Sequence, residues 1–152
     1  MADIVTAATR SRMMAGIRGR DTKPELVLRH GLDRLGFRFR LHVKDMPGKP
    51  DIVFPKYSAV IFANGCFWHG HECELFRWPA TRPEFWRSKI SGNVYRDKKT
   101  KDRLIEAGWR VLTVWECAFR GSDKRPAETV IMACSKWLKG DRPVDNINGR
   151  NT

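Results

Sequence analysis

The amino-acid sequence predicts an α/β fold around a mixed sheet, and three observations carry that reading. Two short apolar runs, Ser58 to Phe62 and Trp109 to Trp115, read as buried strands; Phe37 to Val43 alternates apolar and polar residues; helical patterns stand before, between and after these segments. With 152 residues, 41% of them hydrophobic and including six Trp and eight Phe, the chain has enough apolar area for one core.

Each element has a local cause. Thr22 offers an N-cap, Pro24 suits the first helical position, and Gly36 closes a helix over Glu25 to Leu35. Phe37, Phe39, Leu41 and Val43 alternate with Arg38, Arg40, His42 and Lys44, the pattern of a strand with one wet face. After the turn Met46 to Pro50 come a strand Asp51 to Phe54 and the central strand Ser58 to Phe62. Thr81 and Glu84 form a capping-box pattern opening a helix through Ile90, and Asn93 to Ala107 reads as a second, charged helix stopped by Gly108. Trp109 to Trp115 is the third buried strand, and a last helix runs from about Pro126 to Leu138. The resulting order is α, β, β, β, α, α, β, α. Residues 1–20 form a basic arm with Arg10, Arg12, Arg18 and Arg20 beside Met13 and Met14, residues 21–139 the main domain, and residues 140–152 a polar tail expected to fray.

Charge narrows the partner. Lys and Arg number 29 against 17 Asp and Glu, a formal charge of +12, which selects a polyanion and disfavours acidic proteins. No apolar run approaches the roughly 18 to 20 residues that span a bilayer, and residues 1–12 lack a signal-peptide core, so a soluble, cytoplasmic chain is expected. Four cysteines are too few for a disulfide framework at this length; as thiols they leave metal binding open.

The densest chemistry is Asn64-Gly65-Cys66-Phe67-Trp68-His69-Gly70-His71-Glu72-Cys73, which follows the central strand directly. A structural zinc takes four N or S ligands in a tetrahedron. Cys66, Cys73 and one histidine leave one position, which Cys117, just after the last strand, could fill. His71 lies between the two thiols and His69 beside the bulky Trp68; spacing leaves open which of them ligates. The plainer alternative is buried thiols with surface histidines, and Cys134, mid-helix, reads as core.

A second constellation begins at Asp51. Antiparallel pairing of its strand with the next would bring Asp51 beside Phe62-Ala63-Asn64, where a carboxylate helped by a backbone carbonyl can hold Mg2+ against a scissile phosphate. A turn aspartate after proline is the competing reading. Glu25 shares a helix face with Leu28, Leu32 and Leu35 and should point toward the sheet, unless it only complements the helix dipole. His69, if it is not a zinc ligand, has the pKa range of a general base. Asp97 is a possible support for it, although a solvated helix aspartate is the plainer reading. The third constellation sets Phe67, Trp68, Phe76, Trp78, Phe85 and Trp86 among Arg77, Arg82, Arg87 and Lys89. Core packing explains most of these aromatics, yet Phe67-Trp68 sits on a polar loop, as the apolar wedges of DNA-distorting proteins do.

The stretches GKPDIV, VIFANGCFWHGHEC, PATRPEFWRSKI, NVYRDKK and GWRVLTVWEC together resemble the very-short-patch-repair (Vsr) DNA mismatch endonuclease family, over about Asp3 to Leu138. The resemblance implies a restriction-endonuclease-like fold, a central mixed sheet flanked by helices with a structural zinc site, that nicks one strand of duplex DNA at a T:G mismatch, 5′ of the thymine, with Mg2+. It further implies that Asp51 is the Mg2+ ligand with the Ala63 carbonyl, His69 the residue that activates water, and Glu25 a supporting acid. Cys66, His71, Cys73 and Cys117 resemble the Zn2+ ligands, Phe67, Trp68 and Trp86 the aromatics that enter the helix, and Met14 a minor-groove wedge on the arm. This chain departs from the best-known motif, Thr-His before Gly-Cys, in having Ala63 and Asn64; a carbonyl contact survives that change, and Asn64 can still hydrogen-bond a phosphate or water.

The leading expectation is therefore a Mg2+-dependent mismatch endonuclease acting as a monomer on double-stranded DNA, since one asymmetric mispair needs no twofold axis. The alternatives are a nuclease of the same fold with another trigger, and a zinc-stabilised module that binds distorted duplex without hydrolysis. Repair-pathway partners are not legible in the sequence.

Overall fold

A computed structural model describes residues 21–151, so the expected arm over 1–20, Met14 included, lies outside the described residues. The first helix, α1, spans Lys23–Arg34; the Thr22 side chain caps it by accepting from Glu25 N at 3.4 Å. Gly36, at φ +90°, ends it as the C′ glycine, with its N–H on the Asp33 carbonyl at 2.9 Å. Glu25, Leu28 and Leu32 are buried on the inner face, while Leu35, expected on that face, is 46% exposed beyond the last turn.

The expected strand Phe37 to Val43 shortens to β1, Arg40–Leu41, because His42 turns to a left-handed φ of +50° and breaks the pleat. Strand β2 is Ile52–Phe54, and a 3-10 turn over Pro55–Tyr57 leads into β3, Ala59–Asn64. One helix, α2, covers Pro83–Glu106 where two were expected. Gly92 costs such a helix about 1 kcal/mol but does not break it. The expected Thr81 capping box is absent: Arg82 is the N-cap residue, at φ +51° and without a side-chain cap bond, and Pro83 supplies the preset first position. Strand β4 is Arg110–Trp115 and helix α3 is Ala127–Lys139. A fifth strand, β5 over Val144–Ile147, lies in the stretch expected to fray; its Val-Asp-Asn-Ile alternation is too short and polar to signal a strand unaided.

The sheet order is β1-β2-β3-β4-β5, antiparallel at β1/β2 and β2/β3 and parallel at β3/β4 and β4/β5, a five-stranded mixed sheet. Period-two alternation divides the core between its faces. Ile52, Phe54, Ile61, Leu112 and Val114 pack under α1 and α3 through Leu28, Leu32, Val130 and Cys134. Val53, Val60 and Val111 meet Leu104 of α2 on the opposite face. Helices on both faces bury Ala59 to Ile61 of β3 and Val111 to Val114 of β4, which is why those runs read as continuously apolar. Among the described residues no helix is long and apolar enough to cross a membrane.

Arg110 ties these layers together. Its guanidinium donates to the carbonyls of Trp137 at 3.0 Å and Leu138 at 2.8 Å, at the C-terminus of α3, and to Tyr57 at 3.3 Å in the β2–β3 turn. Helix-end carbonyls lack intrahelical donors and favour a cation. Arg110→Met keeps the apolar stem and removes the donors, and is expected to lower the unfolding free energy by about 1–3 kcal/mol. Chemical denaturation checks this; an unchanged midpoint at unchanged slope would contradict it.

Candidate functional site

The register Ile52↔Ile61 sets Asp51, just before β2, beside the far end of β3. There the Ala63 N–H donates to Asp51 Oδ2 at 2.8 Å. In an extended strand the N–H and C=O of one residue face the same neighbour, so the Ala63 carbonyl leaves β3 on the Asp51 side. Asp51 Oδ1 makes no hydrogen bond to another of the described residues. Burial pushes the Asp51 carboxyl up to about 6; the Ala63 N–H works against that rise, Glu25 adds to it, and His42 and His69 oppose it.

Glu25, 1% exposed, holds a dense set of partners. Its Oε2 accepts from Arg29 at 2.8 Å and lies 2.8 Å from His42 Nε2, while its Oε1 accepts from Asp21 N at 3.1 Å. The His42 backbone N–H in turn donates to the Asp51 backbone carbonyl at 3.0 Å, so His42 meets the Glu25 carboxylate with its ring and the Asp51 main chain with its own. Sequence reading placed His42 on a wet strand face and missed it; its left-handed backbone and its partner on α1 have no local signature. Donor atoms of Asp21, Glu25 and His42 lie within 4.8 Å of one another, but the Arg29 guanidinium already bridges Asp21 and Glu25, at 2.5 and 2.8 Å, and supplies the positive charge there.

His69 Nδ1 lies 2.6 Å from Asp97 Oδ2 on α2. Asp97 is thus half-buried against a histidine and not the solvated residue that its surroundings in sequence suggested. Pairing at Nδ1 leaves Nε2 as the ring's other functional nitrogen. His69, Ala63 and Asn64 line a cleft of about 580 Å3, with Lys23 at the start of α1, Lys89 on α2 and exposed Arg120 along its walls.

The second cluster follows from the parallel register of β3 and β4. Asn64 pairs with Trp115, and two residues beyond each strand end stand Cys66 and Cys117. The Cys117 N–H donates to Cys66 Sγ at 3.3 Å, and the Cys66 N–H donates to Glu116 Oε1 at 3.1 Å. Donor atoms of Cys66, His71, Cys73 and Cys117 all lie within 4.8 Å of one another, a donor set able to hold a metal ion. His71 Nδ1 is 3.5 Å from Cys66 Sγ and 3.7 Å from Cys117 Sγ, whereas His69 turns away to Asp97. Burial pushes the Cys66 thiol up and holds the His71 imidazole below its ordinary value, which keeps that ring neutral as a ligand must be. Three sulfurs and one imidazole suit a tetrahedral thiophilic ion. Cys134 stays apart, buried in α3, with its thiol pushed up to about 12 by that burial.

Between the cysteines the chain presents Phe67 and Trp68, and α2 adds Trp86. Their rings form one cluster, with centroids 5.2 Å apart for Phe67–Trp68, 5.4 Å for Phe67–Trp86 and 5.8 Å for Trp68–Trp86. All three are half-buried and not sealed in the core, and Phe67 and Trp68 line the cleft. Asn93, which sequence reading took as a helix start, instead sits mid-helix and donates to the Trp68 carbonyl at 2.8 Å.

Comparison with known proteins bears on this arrangement. Residues 2–75 match the family described as DNA mismatch endonuclease Vsr. The chain is 48% identical over 141 residues to the DNA mismatch endonuclease Vsr of Escherichia coli, covering 93% of this chain and 90% of that protein. The chain belongs to the Vsr family. It is also 44% identical over 117 residues to the type II nicking enzyme V.XorIIP of Xanthomonas oryzae pv. oryzae, with 77% of this chain and 86% of that protein covered. Against the type II nicking enzyme V.NmeAIP of Neisseria meningitidis serogroup A, identity is 43% over 120 residues, 79% of this chain and 86% of that protein.

The raised Asp51 pKa has a measurable consequence for stability. A folded carboxyl that holds its proton more tightly than the unfolded one favours the fold when protonated; that contribution is complete below about pH 4 and is lost as pH rises through about 6. In EDTA, Asp51→Asn is expected to raise the melting temperature by roughly 3–8 °C at pH 7.5 and by little at pH 4. Thermal melts at the two pH values read the difference, and a gain independent of pH would contradict the burial account.

Proposed function

We propose that this DNA endonuclease nicks one strand of duplex DNA at a T:G mismatch, on the 5′ side of the mismatched thymine, in a Mg2+-dependent reaction that starts very short patch repair. The observation that carries the reading is the convergence of the Asp51 carboxylate, the Ala63 strand end and the His69–Asp97 pair beside one cationic cleft. Family membership supports mismatch-directed nicking.

Asp51 and the Ala63 carbonyl would hold the Mg2+. A divalent ion there would supply Lewis acidity, polarising a phosphoryl oxygen and making water a better nucleophile. His69, oriented by Asp97 at Nδ1, takes a proton from the attacking water at Nε2. Glu25 supports the site from α1 by holding His42, whose backbone N–H fixes the Asp51 main chain, and Asn64 offers its amide to a phosphate oxygen or to water. Lys23, Lys89 and Arg120 bind backbone phosphates along the cleft. Phe67, Trp68 and Trp86 form the wedge that unstacks the mispair, at a cost of a few kcal/mol per step, and Met14 acts from the arm in the opposite groove. Zinc held by Cys66, His71, Cys73 and Cys117 would keep the wedge loop rigid. A mixed sheet flanked by helices supports a restriction-endonuclease-like fold for the domain, working in the cytoplasm as a monomer.

A strand-resolved cleavage assay across all mispairs tests the reading. The thymine strand of T:G duplex is expected to be cut with Mg2+, leaving 5′-phosphate and 3′-hydroxyl ends, and to stay intact in EDTA. Asp51→Ala should abolish nicking and keep duplex affinity, and His69→Ala should slow nicking about 10²–10⁴-fold. Binding without cleavage by the wild-type chain would instead favour a recognition module. Cys73→Ala is expected to lose zinc and to melt well below wild type, because metal binding and folding are coupled; wild-type melting in a zinc-free Cys73→Ala protein would count against the zinc assignment.

A further inference from the structure

Residues 144–151 do more than extend the sheet. Trp115, the last residue of β4, donates from Nε1 to Asn146 Oδ1 at 3.0 Å, and its indole stacks on the His71 imidazole with centroids 4.1 Å apart and planes 8° from parallel. His71 Nε2 lies 2.8 Å from Asn148 Oδ1. An amide oxygen only accepts, so that contact fixes the proton on Nε2 and leaves the Nδ1 lone pair directed at the thiols. One residue further, the Gly149 N–H donates to Cys117 Sγ at 3.3 Å. A Cβ on Gly149 would stand 2.8 Å from the Cys117 carbonyl and 3.0 Å from the Asp123 carbonyl, so only glycine allows this approach.

The segment is itself anchored. Arg125 Nε donates to the Asn148 carbonyl at 2.7 Å, and the Arg150 N–H donates to the Asp123 carbonyl at 2.7 Å. Two of the four candidate ligands thus make their outer hydrogen bonds with consecutive residues of one carboxy-terminal strand exit, His71 donating to Asn148 and Cys117 accepting from Gly149.

We propose that Asn148 and Gly149 form the outer shell of the metal centre, with Asn148 the positioning residue that sets the tautomer and ring orientation of His71, so that this segment governs metal retention. The proposal rests on the zinc reading above. Outer-shell partners of ligating histidines commonly govern affinity about 10- to 100-fold. The segment would act on DNA only indirectly, through the stiffness of the loop that carries Phe67 and Trp68.

The test measures zinc affinity by equilibrium competition with a chromophoric chelator, using the full chain and its Asn148→Ala and Asn148→Asp variants. Asn148→Ala is expected to bind zinc about 10- to 100-fold more weakly, and Asn148→Asp, which keeps an acceptor oxygen, to match or exceed wild type. Long-range 15N correlation spectra of the zinc-loaded wild type should show His71 metallated at Nδ1 and protonated at Nε2. Equal affinity in Asn148→Ala and wild type would overturn the proposal, as would an Asn148→Asp variant as weak as Asn148→Ala. A wild-type chain that takes up no zinc would overturn the metal centre itself, an outcome distinct from either of these. Should Asn148→Ala fail to fold, the Asn148→Asp comparison and the His71 tautomer still decide the question.

Discussion

The Ala63 N–H on Asp51 Oδ2, 2.8 Å long, joins a carboxylate to the end of a central strand, and the arrangement around the site depends on that junction. A carboxylate sunk into the mouth of an apolar sheet is costly unless something holds its charge. Here one backbone donor satisfies one oxygen, and the other has no hydrogen-bond partner among the described residues. The raised pKa is the mark of this compromise: the fold stores unfavourable charge at a place where a divalent ion would relieve it.

Strand register carries the same junction outward. Because β2 runs antiparallel to β3, Asp51 arrives at the β3 exit; because β4 runs parallel to β3, the Cys66 and Cys117 loops leave the sheet side by side. The acid site and the thiol cluster are therefore neighbours by topology. Between them the chain has only the length of Gly65 to His71 in which to present two aromatics and the His69 imidazole. Ligands in open α/β sheets gather outside such strand ends. The cleft here follows that rule, with the α1 start and α2 forming its walls.

Much of this was legible in the sequence, and the gaps have physical reasons. Glu25 was readable as inward-facing because its helical phase matches Leu28 and Leu32, and it is buried with them. The grouping of Cys66, Cys73 and Cys117 was readable from two strand exits. Spacing left the choice between His69 and His71 open, because it depends on Asp97 and Asn148, 28 and 77 residues away, and only the family resemblance distinguished the two. The strand β5 escaped notice because its order comes from pairing with β4 and from Arg125, and local propensity contributes little. Helix α2 was divided at Ser91-Gly92-Asn93 because those residues are poor helix formers; tertiary contact overrides propensity there, with Asn93 held to the Trp68 carbonyl.

The central claim is that Asp51 grips a divalent ion at the β3 exit, against the sugar–phosphate chain. Anomalous scattering from Mn2+ in crystals of the protein with a T:G duplex tests it most directly. The account requires a manganese peak in direct contact with an Asp51 carboxylate oxygen and with a phosphate of the thymine strand. A peak bound elsewhere, with Asp51 remote from both ion and phosphate, would contradict it.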